Sequence, residues 1–288
     1  MIRSIETGAW KTDPFFGIKG SGIALIDADS LLYYCAGSSA LEGDFSKMRL
    51  RLDELILGIL QSTQCSRYSA FLTDSGNLFR SAIARSKPYK GNRAGKEAPL
   101  LLSSLKAYAI HEWGFYICPN LEADDCVAYH ATDTRVVCSP DKDVLRQIPG
   151  KHFNYQKREW VSTSPAEARR FLWTQTLTGD GVDGIPGIPG TGPSTADKVL
   201  DKVDPSEYPE AVLRCYLAAF QETEAVARFY ETYQLVRLLS GQRDYDMYGI
   251  SPPALNIFDA SGLARASIQK LNADQADRST DPADPKKP

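Results

Sequence analysis

Four short apolar runs divide the first half of the chain. The runs are GIALID (22–27), RYSAFLTD (67–74), GFYIC (114–118) and RVVCS (135–139). Between the first two runs, SLLYYCA (30–36) and MRLRLDELILGILQS (48–62) repeat apolar residues at the spacing of an amphipathic helix. Alternating strands and helices predict an α/β fold with a mainly parallel central sheet that is flanked by helices.

The second half of the chain has a different pattern. HFNYQKREWV (152–161) predicts a hairpin, and SPAE (164–167) is a capping box with proline at the first helical position. Helical spacing continues to about residue 239, interrupted by the glycine- and proline-rich stretch 179–194. We therefore divide the chain into a flexible lead (1–21), a sheet-based core (22–163), a helical region (164–250) and a C-terminal segment (251–288), with roughly the last 15 residues disordered.

Composition limits the class of protein and the location that the chain can have. The chain is 43% hydrophobic and 24% charged, as is typical of soluble globular proteins. It has no apolar run of the roughly 18 residues that span a bilayer and no signal-peptide pattern, so we expect a cytoplasmic protein without a membrane partner. Six scattered cysteines predict buried reduced thiols. The net charge of −3 hides a basic stretch at 80–106, in which the one acid is Glu97. Its basic residues are Arg80, Arg85, Lys87, Lys90, Arg93, Lys96 and Lys106.

Carboxylates gather where predicted strands end or where glycine permits a turn. The set is Asp27, Asp74, Glu122, Asp124, Asp125, Asp141, Asp143, Asp180 and Asp183. Two like charges 4 Å apart repel by about 4 kcal/mol, so the segment LEADDC (121–126) needs either a solvated helix start or a bound cation. Parallel sheets place their sites at the carboxyl ends of strands, and carboxylate oxygens suit Mg²⁺ or Mn²⁺. Two such ions are a common means of phosphodiester hydrolysis.

Two other segments have the composition of nucleic-acid contacts. In KPYKGNR (87–93), Tyr89 is suited to stack on a base while Lys90 and Arg93 pair with phosphates. GIPGTG (187–192), followed by PSTADKVL, resembles a helix–hairpin–helix turn, where glycine lets backbone N–H groups approach a phosphate. The structural alternatives are a solvated basic loop and a proline-rich turn.

Taken in order, YKGNR, LEADD, SPDKD and GDGVDGIPGIPGTGPSTA resemble motifs of the flap endonuclease and 5′→3′ exonuclease superfamily. The resemblance is strongest to bacteriophage 5′ exonucleases and to the 5′-nuclease domain of bacterial DNA polymerase I, and it covers about residues 22–200. It implies a metal-dependent, PIN-like nuclease core with a short helical arch or clamp near 85–112. It also implies a helix–hairpin–helix DNA-binding region within 164–250.

The resemblance also implies roles for individual residues. One metal ion would be held by Asp27, Asp74, Glu122, Asp124 and Asp125. The second would be held by Asp141, Asp143, Asp180 and Asp183, with Asp141 placed to serve both ions in catalysis. Lys90 and Arg93 match the catalytic lysine and arginine of the family, and Tyr89 matches its base-stacking tyrosine. The hairpin motif, which in the family also binds K⁺, corresponds to Gly187, Gly190, Gly192, Ser194, Thr195 and Lys198.

The implied activity is Mg²⁺-dependent 5′-nuclease cleavage, as an exonuclease, a flap endonuclease or both. Its substrates would be DNA with free 5′ ends, nicks or 5′ flaps. RNA–DNA hybrids are a further candidate substrate. The implied setting is DNA replication or genome degradation in the cytoplasm of an infected bacterium. A PIN-like ribonuclease and a non-catalytic structure-specific DNA-binding protein are the alternatives. Asp29 follows Asp27 closely and is left without a role.

Overall fold

A mixed β-sheet lies at the centre of the protein. The computed structural model describes residues 18, 20–38, 42–93 and 95–260. The strands are β1 (Gly22–Asp27), β2 (Cys65–Thr73), β3 (Tyr116–Cys118), β4 (Arg135–Cys138), β5 (Gly150–Asn154) and β6 (Glu159–Thr163). In the sheet they lie in the order β3-β2-β1-β4-β5-β6. Neighbours along this order from β3 to β5 pair in parallel, and β6 returns antiparallel to β5 as the predicted hairpin. The predicted α/β fold with a mainly parallel sheet is confirmed.

Helices cover both faces of this sheet. The helices before the hairpin are α1 (Asp29–Ala36), α2 (Phe45–Thr63), α3 (Phe79–Ile83), α4 (Leu102–Trp113), α5 (Ala123–His130) and α6 (Lys142–Gln147). Alternate residues of β1 face two different cores, since Ala24 and Ile26 pack with α1, α2 and α4, whereas Leu25 packs with α5 and α6. The strand is therefore buried on both faces, which explains its continuous apolar run.

The helical region has a core of its own. It contains α7 (Pro165–Thr178), α8 (Pro193–Leu200), α9 (Tyr208–Ala219) and α10 (Glu222–Val236), followed by α11 (Gln242–Tyr248). The predicted capping box is present, because Ser164 Oγ accepts the N–H of Glu167 at 3.2 Å and the Glu167 carboxylate accepts the N–H of Ser164 at 2.7 Å. Trp173, Val212 and Phe229 pack together between these helices. The loop after α7 includes a small ladder between β7 (Gly179–Asp180) and β8 (Ile185–Pro186).

Two features of the sheet were not predicted. Strand β3 begins at Tyr116 rather than 114, because Gly114 takes φ +62° as the C-cap of α4. Strand β9 (Phe258–Asp259) pairs antiparallel with the start of β2, and the Phe258 ring lies where a side chain at Gly114 would have to be. The start of the C-terminal segment is thus part of the sheet. Most of the predicted lead and all of the predicted disordered tail lie outside the described residues.

The cysteines depart from the prediction at one pair. Cys118, which ends β3, and Cys126 on α5 form a disulfide with Cα atoms 6.8 Å apart, although the sequence pattern predicted reduced thiols. The turn between the two elements brings them together, since the N–H of Leu121 donates to the carbonyl of Cys118 at 3.1 Å. Cys35, Cys65, Cys138 and Cys215 are free, as predicted. Within the described ranges, no helix has the length and apolar character needed to cross a membrane.

Candidate active site

Strand β1 ends at the edge of the sheet where the strand order reverses. It lies between β2 and β4, and in open α/β sheets the crevice at such a point commonly holds the ligand. Asp27 is the last residue of β1, and the hydroxyl of Ser139, just after β4, donates to Asp27 Oδ2 at 2.8 Å. Asp141 caps α6 and accepts the N–H of Asp143 at 2.7 Å. The topology therefore brings these predicted ligands to one edge.

The acids of LEADD lie at the start of α5 and are mostly buried. Glu122 is the N-cap and is 2% exposed, Asp124 and Asp125 occupy the first turn, and Asp125 is fully buried. Carboxylate oxygens of the three residues all lie within 4.8 Å of one another. A solvated helix start does not describe this cluster, because two of its three carboxylates are removed from water. Other charges must stabilise it.

Arg80 on α3 supplies one of these charges. Its Nη1 lies 2.8 Å from Glu122 Oε2, and its Nη2 lies 2.8 Å from Asp125 Oδ1. The guanidinium also donates to the carbonyl oxygens of Leu235 and Arg237 at 3.0 and 2.8 Å. Arg80 belongs to the basic stretch of the sequence, but it is only 2% exposed, so it is not available to a DNA backbone. No local pattern marks it, because its partners lie far along the chain.

The YKGNR and GDGVDG segments dock on each other. Lys90 takes φ +53°, its N–H donates to the carbonyl of Asp183 at 2.8 Å, and its ammonium pairs with Glu122. The amide of Asn92 donates to the carbonyl of Val182 at 2.9 Å. Arg93 Nη2 lies 2.7 Å from Asp183 Oδ1. Lys90, Arg93 and Asp183, together with Glu122 and Asp125, thus form the first wall of the site.

Tyr89 contributes to the same wall. Its hydroxyl donates to Glu122 Oε2 at 2.7 Å and lies 3.2 Å from Asp183 Oδ2. Its ring packs against the cluster that contains Ile185 and Leu235. Sequence analysis predicted Tyr89 as a base-stacking residue. In the structure, its hydroxyl is held by the acids and its ring is half-buried, so stacking on a base stays a prediction.

Asp143 and Asp180 form the opposite wall with two side chains that the sequence analysis did not single out. Lys142 Nζ lies 2.7 Å from Asp180 Oδ2. The buried amide of Gln175, on α7, donates to Asp143 Oδ1 at 2.7 Å. A narrow cavity between the walls is lined by Tyr89, Asp124, Asp143, Gln175, Asp180 and Asp183.

The charges of this cleft are unevenly compensated. Burial raises the pKa of Asp27 to about 7, and Asp29 and Asp141 add to the effect. Burial, together with Asp141 and Asp180, also raises the pKa of Asp143 to about 7. Burial and its two acidic neighbours raise the pKa of Asp124 well above its ordinary value. The cleft therefore holds more carboxylates than its own cations neutralise.

Glu122 and Asp180 behave in the opposite way. The pKa of Glu122 is lowered, since Arg80 and Lys90 together outweigh the effect of its burial. Burial opposes ionisation of Asp180, but the hydrogen bond and the charge of Lys142, together with backbone N–H donors, outweigh it and lower the pKa of Asp180. Each of these two carboxylates has a close cationic partner.

Asp74 directly follows β2, and Asp29, the first residue of α1, lies two residues after the end of β1. The Asp74 carboxylate accepts the N–H groups of Gly76 and Asn120 at 3.3 and 3.1 Å, which ties the end of β2 to the loop before α5. Both oxygens of Asp29 accept the N–H of Thr73 at 3.2 to 3.3 Å. Thr73 Oγ1 in turn accepts the N–H of Ala123. Asp29 thus supports the start of α5 through Thr73, a contact that the sequence analysis did not foresee.

The predicted hairpin motif connects α7 to α8. Gly187 packs directly on the end of α7, where a Cβ would lie 2.2 Å from the backbone of Thr178, and Gly190 takes φ +73°. The side chains of Ser194, Thr195 and Lys198 are exposed on α8, which begins after Gly192. Two helices are thus joined by a turn that contains glycine, and both the helix–hairpin–helix assignment and its role in binding DNA stay predictions.

The segment predicted as an arch or clamp divides into two parts. Helix α4 belongs to the core, since Leu105 and Ala109 are fully buried and pack with α1 and α2. The stretch before α4 consists of turns, with Leu100 60% exposed. The arch or clamp itself stays a prediction.

Comparison with solved structures identifies the fold. No protein-family model and no curated protein matches the chain. The T5 D15 protein co-crystallised with metal ions superposes with a TM-score of 0.58 at 15% identity, over 86% of this chain and 98% of that one. The T5 5′-exonuclease with bound zinc gives 0.56 at 16% identity, over 78% and 96%. A complex of the bacteriophage T5 D15 flap endonuclease with DNA and metal ions gives 0.50 at 15% identity, over 78% and 95%.

Proposed function

We propose that this protein, whose fold is that of the bacteriophage T5 5′-exonuclease, is a structure-specific 5′ nuclease that cleaves DNA with two divalent metal ions. The observation that carries the proposal is the convergence of carboxylates from separate chain segments on one cavity. The site lies at the sheet edge where α/β folds place their chemistry. That relatives with this fold were crystallised with metal ions and DNA gives further support.

The donor set fits hard divalent cations. The candidate ligands offer only oxygen, which suits Mg²⁺ or Mn²⁺. Burial, together with neighbouring carboxylates, raises the pKa values of Asp27, Asp124 and Asp143. In the proposal, the first ion is held by Asp27, Asp74, Glu122, Asp124 and Asp125. The second is held by Asp141, Asp143, Asp180 and Asp183. Bound ions would stabilise charge on the phosphate and lower the pKa of water.

Asp125 has a second task within this proposal. Its Oδ1 accepts from Arg80 and, at 3.0 Å, from the N–H of Leu239. It therefore fixes the start of α5 against the segment after α10. Glu122 and Asp124 then present their carboxylates on a rigid turn, as a site with precise geometry requires.

Lys90 and Arg93 are the cations that a phosphate would meet at the cleft. Their side chains are 23% and 51% exposed, and they pair with Glu122 and Asp183. In the proposal they stabilise the negative charge that develops on the phosphate during cleavage. Lys90 is held by its backbone bond to Asp183, so the loop positions the ammonium without help from DNA.

The turn Gly187–Gly192 and the start of α8 would bind the DNA backbone at a second point, away from the cleft. A helix N-terminus attracts phosphate, and Ser194, Thr195 and Lys198 surround this one with exposed donors. K⁺ at the carbonyl oxygens of this turn is part of the proposal. The proposed substrates are DNA with free 5′ ends, nicks or 5′ flaps in the cytoplasm of an infected bacterium, and RNA–DNA hybrids extend this set.

Cleavage assays test the proposal. End-labelled 5′-flap, nicked and blunt DNA are incubated with Mg²⁺ or Mn²⁺, and product lengths separate exonuclease from endonuclease action. We expect Asp141→Asn combined with Asp180→Asn to reduce the rate at least about a hundredfold, because both carboxylates belong to the proposed second metal position. Asp133→Asn, on an exposed residue between α5 and β4, is the matched control and should keep full activity.

Three results would contradict the proposal. Full activity of the double variant would rule out the metal assignment. Preferential cleavage of single-stranded RNA would favour the ribonuclease alternative, and tight flap binding without cleavage in Mn²⁺ would favour a non-catalytic DNA-binding protein.

A further inference from the structure

Lys142 occupies an unusual position in the cleft. It is the first residue of α6, between Asp141 and Asp143, and its side chain crosses to the loop after α7. Its ammonium lies 2.7 Å from Asp180 Oδ2 and 4.0 Å from Asp143 Oδ1. A lysine thus stands among the carboxylates that the proposed function assigns to a second metal ion.

The same two carboxylates are fixed from the inner side by a neutral group. Gln175 Nε2 lies 2.7 Å from Asp143 Oδ1 and 3.4 Å from Asp180 Oδ2. The amide of Gln147 holds the Gln175 oxygen at 2.7 Å, so the Gln175 side chain has a set orientation. The backbone N–H of Val182 holds Asp180 Oδ1 at 2.8 Å. The carboxylates therefore keep their places whether or not Lys142 is present.

The cations of the cleft differ in whether they can withdraw. Arg80 is 2% exposed and is bound to two backbone carbonyl oxygens, so it stays with its acids. The side chain of Lys142 is 53% exposed, and an ammonium on a flexible four-carbon stem can return to water at little cost. Lys142 is thus the exchangeable counterion of the Asp143 and Asp180 pair.

We propose that Lys142 is a resident counterion of the second metal position, which a divalent cation must displace from Asp180 in order to bind. This inference rests on the proposed metal-dependent function. The ammonium and the ion compete for the same oxygen, Asp180 Oδ2, and repel each other if both are present. Lys142 therefore lowers the affinity of this position and compensates its charge when no metal is bound.

Calorimetric titration of the full-length protein with Mn²⁺, at one pH and one ionic strength, tests the inference. Lys142→Gln should tighten one Mn²⁺ dissociation constant by roughly three- to tenfold, because the competing charge is removed. The same variant should have a lower melting temperature than wild type in chelator and a larger rise in melting temperature on adding Mn²⁺. Lys142→Arg, which keeps the charge, should show no tightening.

Lys151→Gln is the matched control. Lys151 lies at the start of β5, at the edge of the sheet opposite the acids, and is exposed beside Trp160. Its loss should leave Mn²⁺ affinity unchanged. Mn²⁺ binding to wild type with no tightening in Lys142→Gln would overturn the counterion role alone. Failure of Mn²⁺ to bind any of these proteins would overturn the proposed metal site, and the counterion role with it.

Discussion

The two walls of the acidic cleft differ in how their negative charges are compensated. On the first wall, Glu122 and Asp125 share the buried guanidinium of Arg80, and Glu122 also pairs with Lys90. On the second wall, Asp143 and Asp180 share one half-exposed lysine and a neutral amide. The first wall is compensated by residues that folding locks in place, and the second wall is compensated only loosely.

The pKa values of Glu122 and Asp143 follow this difference. The pKa of Glu122 is lowered despite its burial, whereas the pKa values of Asp27 and Asp143 rise to about 7. Transfer of a carboxylate out of water favours its neutral form unless a cation is close by. Glu122 on the first wall is therefore held in its charged form by its own cations, whereas a bound divalent ion would stabilise the charged forms of Asp143 and Asp27.

The largest expected effect breaks the first wall. Arg80→Met should lower the free energy of unfolding by about 3–5 kcal/mol, because it leaves Glu122 and Asp125 buried without their shared cation. Urea denaturation of the metal-free protein measures it. Arg214→Met removes an exposed helix pair with Glu210 and should cost under about 0.5 kcal/mol. Equal losses in the two variants would contradict the structural role of Arg80.

The second prediction uses pH to separate the walls. Folded Asp27 keeps its proton up to about pH 7, whereas the unfolded chain releases it near its ordinary value of 3.8. The folded state thus binds more protons between these values, so this group lowers stability as pH rises from about 4 to 7. Asp27→Asn should stabilise the metal-free protein by on the order of 2–4 kcal/mol at pH 8 and little at pH 4.

Denaturation in chelator at several pH values measures this effect. Asp133→Asn, on the exposed loop before β4, should show no such pH dependence. If Asp27→Asn destabilised the protein equally at pH 4 and pH 8, Asp27 would not be a site of uncompensated charge.

A smaller effect sharpens the description of the first wall. Tyr89→Phe removes the hydroxyl that bonds Glu122 at 2.7 Å and approaches Asp183, so the free energy of unfolding should fall by about 1–2 kcal/mol. Tyr34→Phe removes a hydroxyl that accepts a long 3.4 Å bond from Arg51 on the surface, and it should be nearly neutral. Chemical denaturation of both variants compares them. No loss in Tyr89→Phe would show that its hydroxyl contributes nothing to the wall.

The smallest effect concerns the rim of the cleft. Arg93 is half-exposed and pairs with Asp183 at 2.7 Å, so Arg93→Gln should cost no more than about 1 kcal/mol of stability. The cost should disappear near 1 M salt, because exposed pairs are screened. Denaturation at low and high salt measures the difference. A cost that persists at high salt would place Arg93 with the buried cations instead.

Much of this architecture could be predicted because its signals are local. Continuous apolar runs mark strands that are buried on both faces, as at Leu25 and Ile26, and the Ser164 capping box marks the start of α7. Asp27 and Asp141 could be predicted as neighbours because parallel strands end at a common edge. The boundary of β3 could not, since it depends on the C-cap conformation of Gly114, and the strand at Phe258 could not, since it pairs with β2 from the C-terminal segment.

The sequence by itself determined which residue types were available: strands that end in carboxylates, a tyrosine beside a lysine, and a glycine turn before a helix. Only the tertiary structure decided which charges compensate one another. Arg80 reaches the carbonyl of Leu235, 155 residues away, and Lys142 reaches Asp180 across 38 residues. No period along the chain encodes such contacts, because burial and partner are properties of the packed molecule. Arg80 is therefore a buried partner of two acids, whereas Lys142, with the same charge, is the proposed exchangeable counterion.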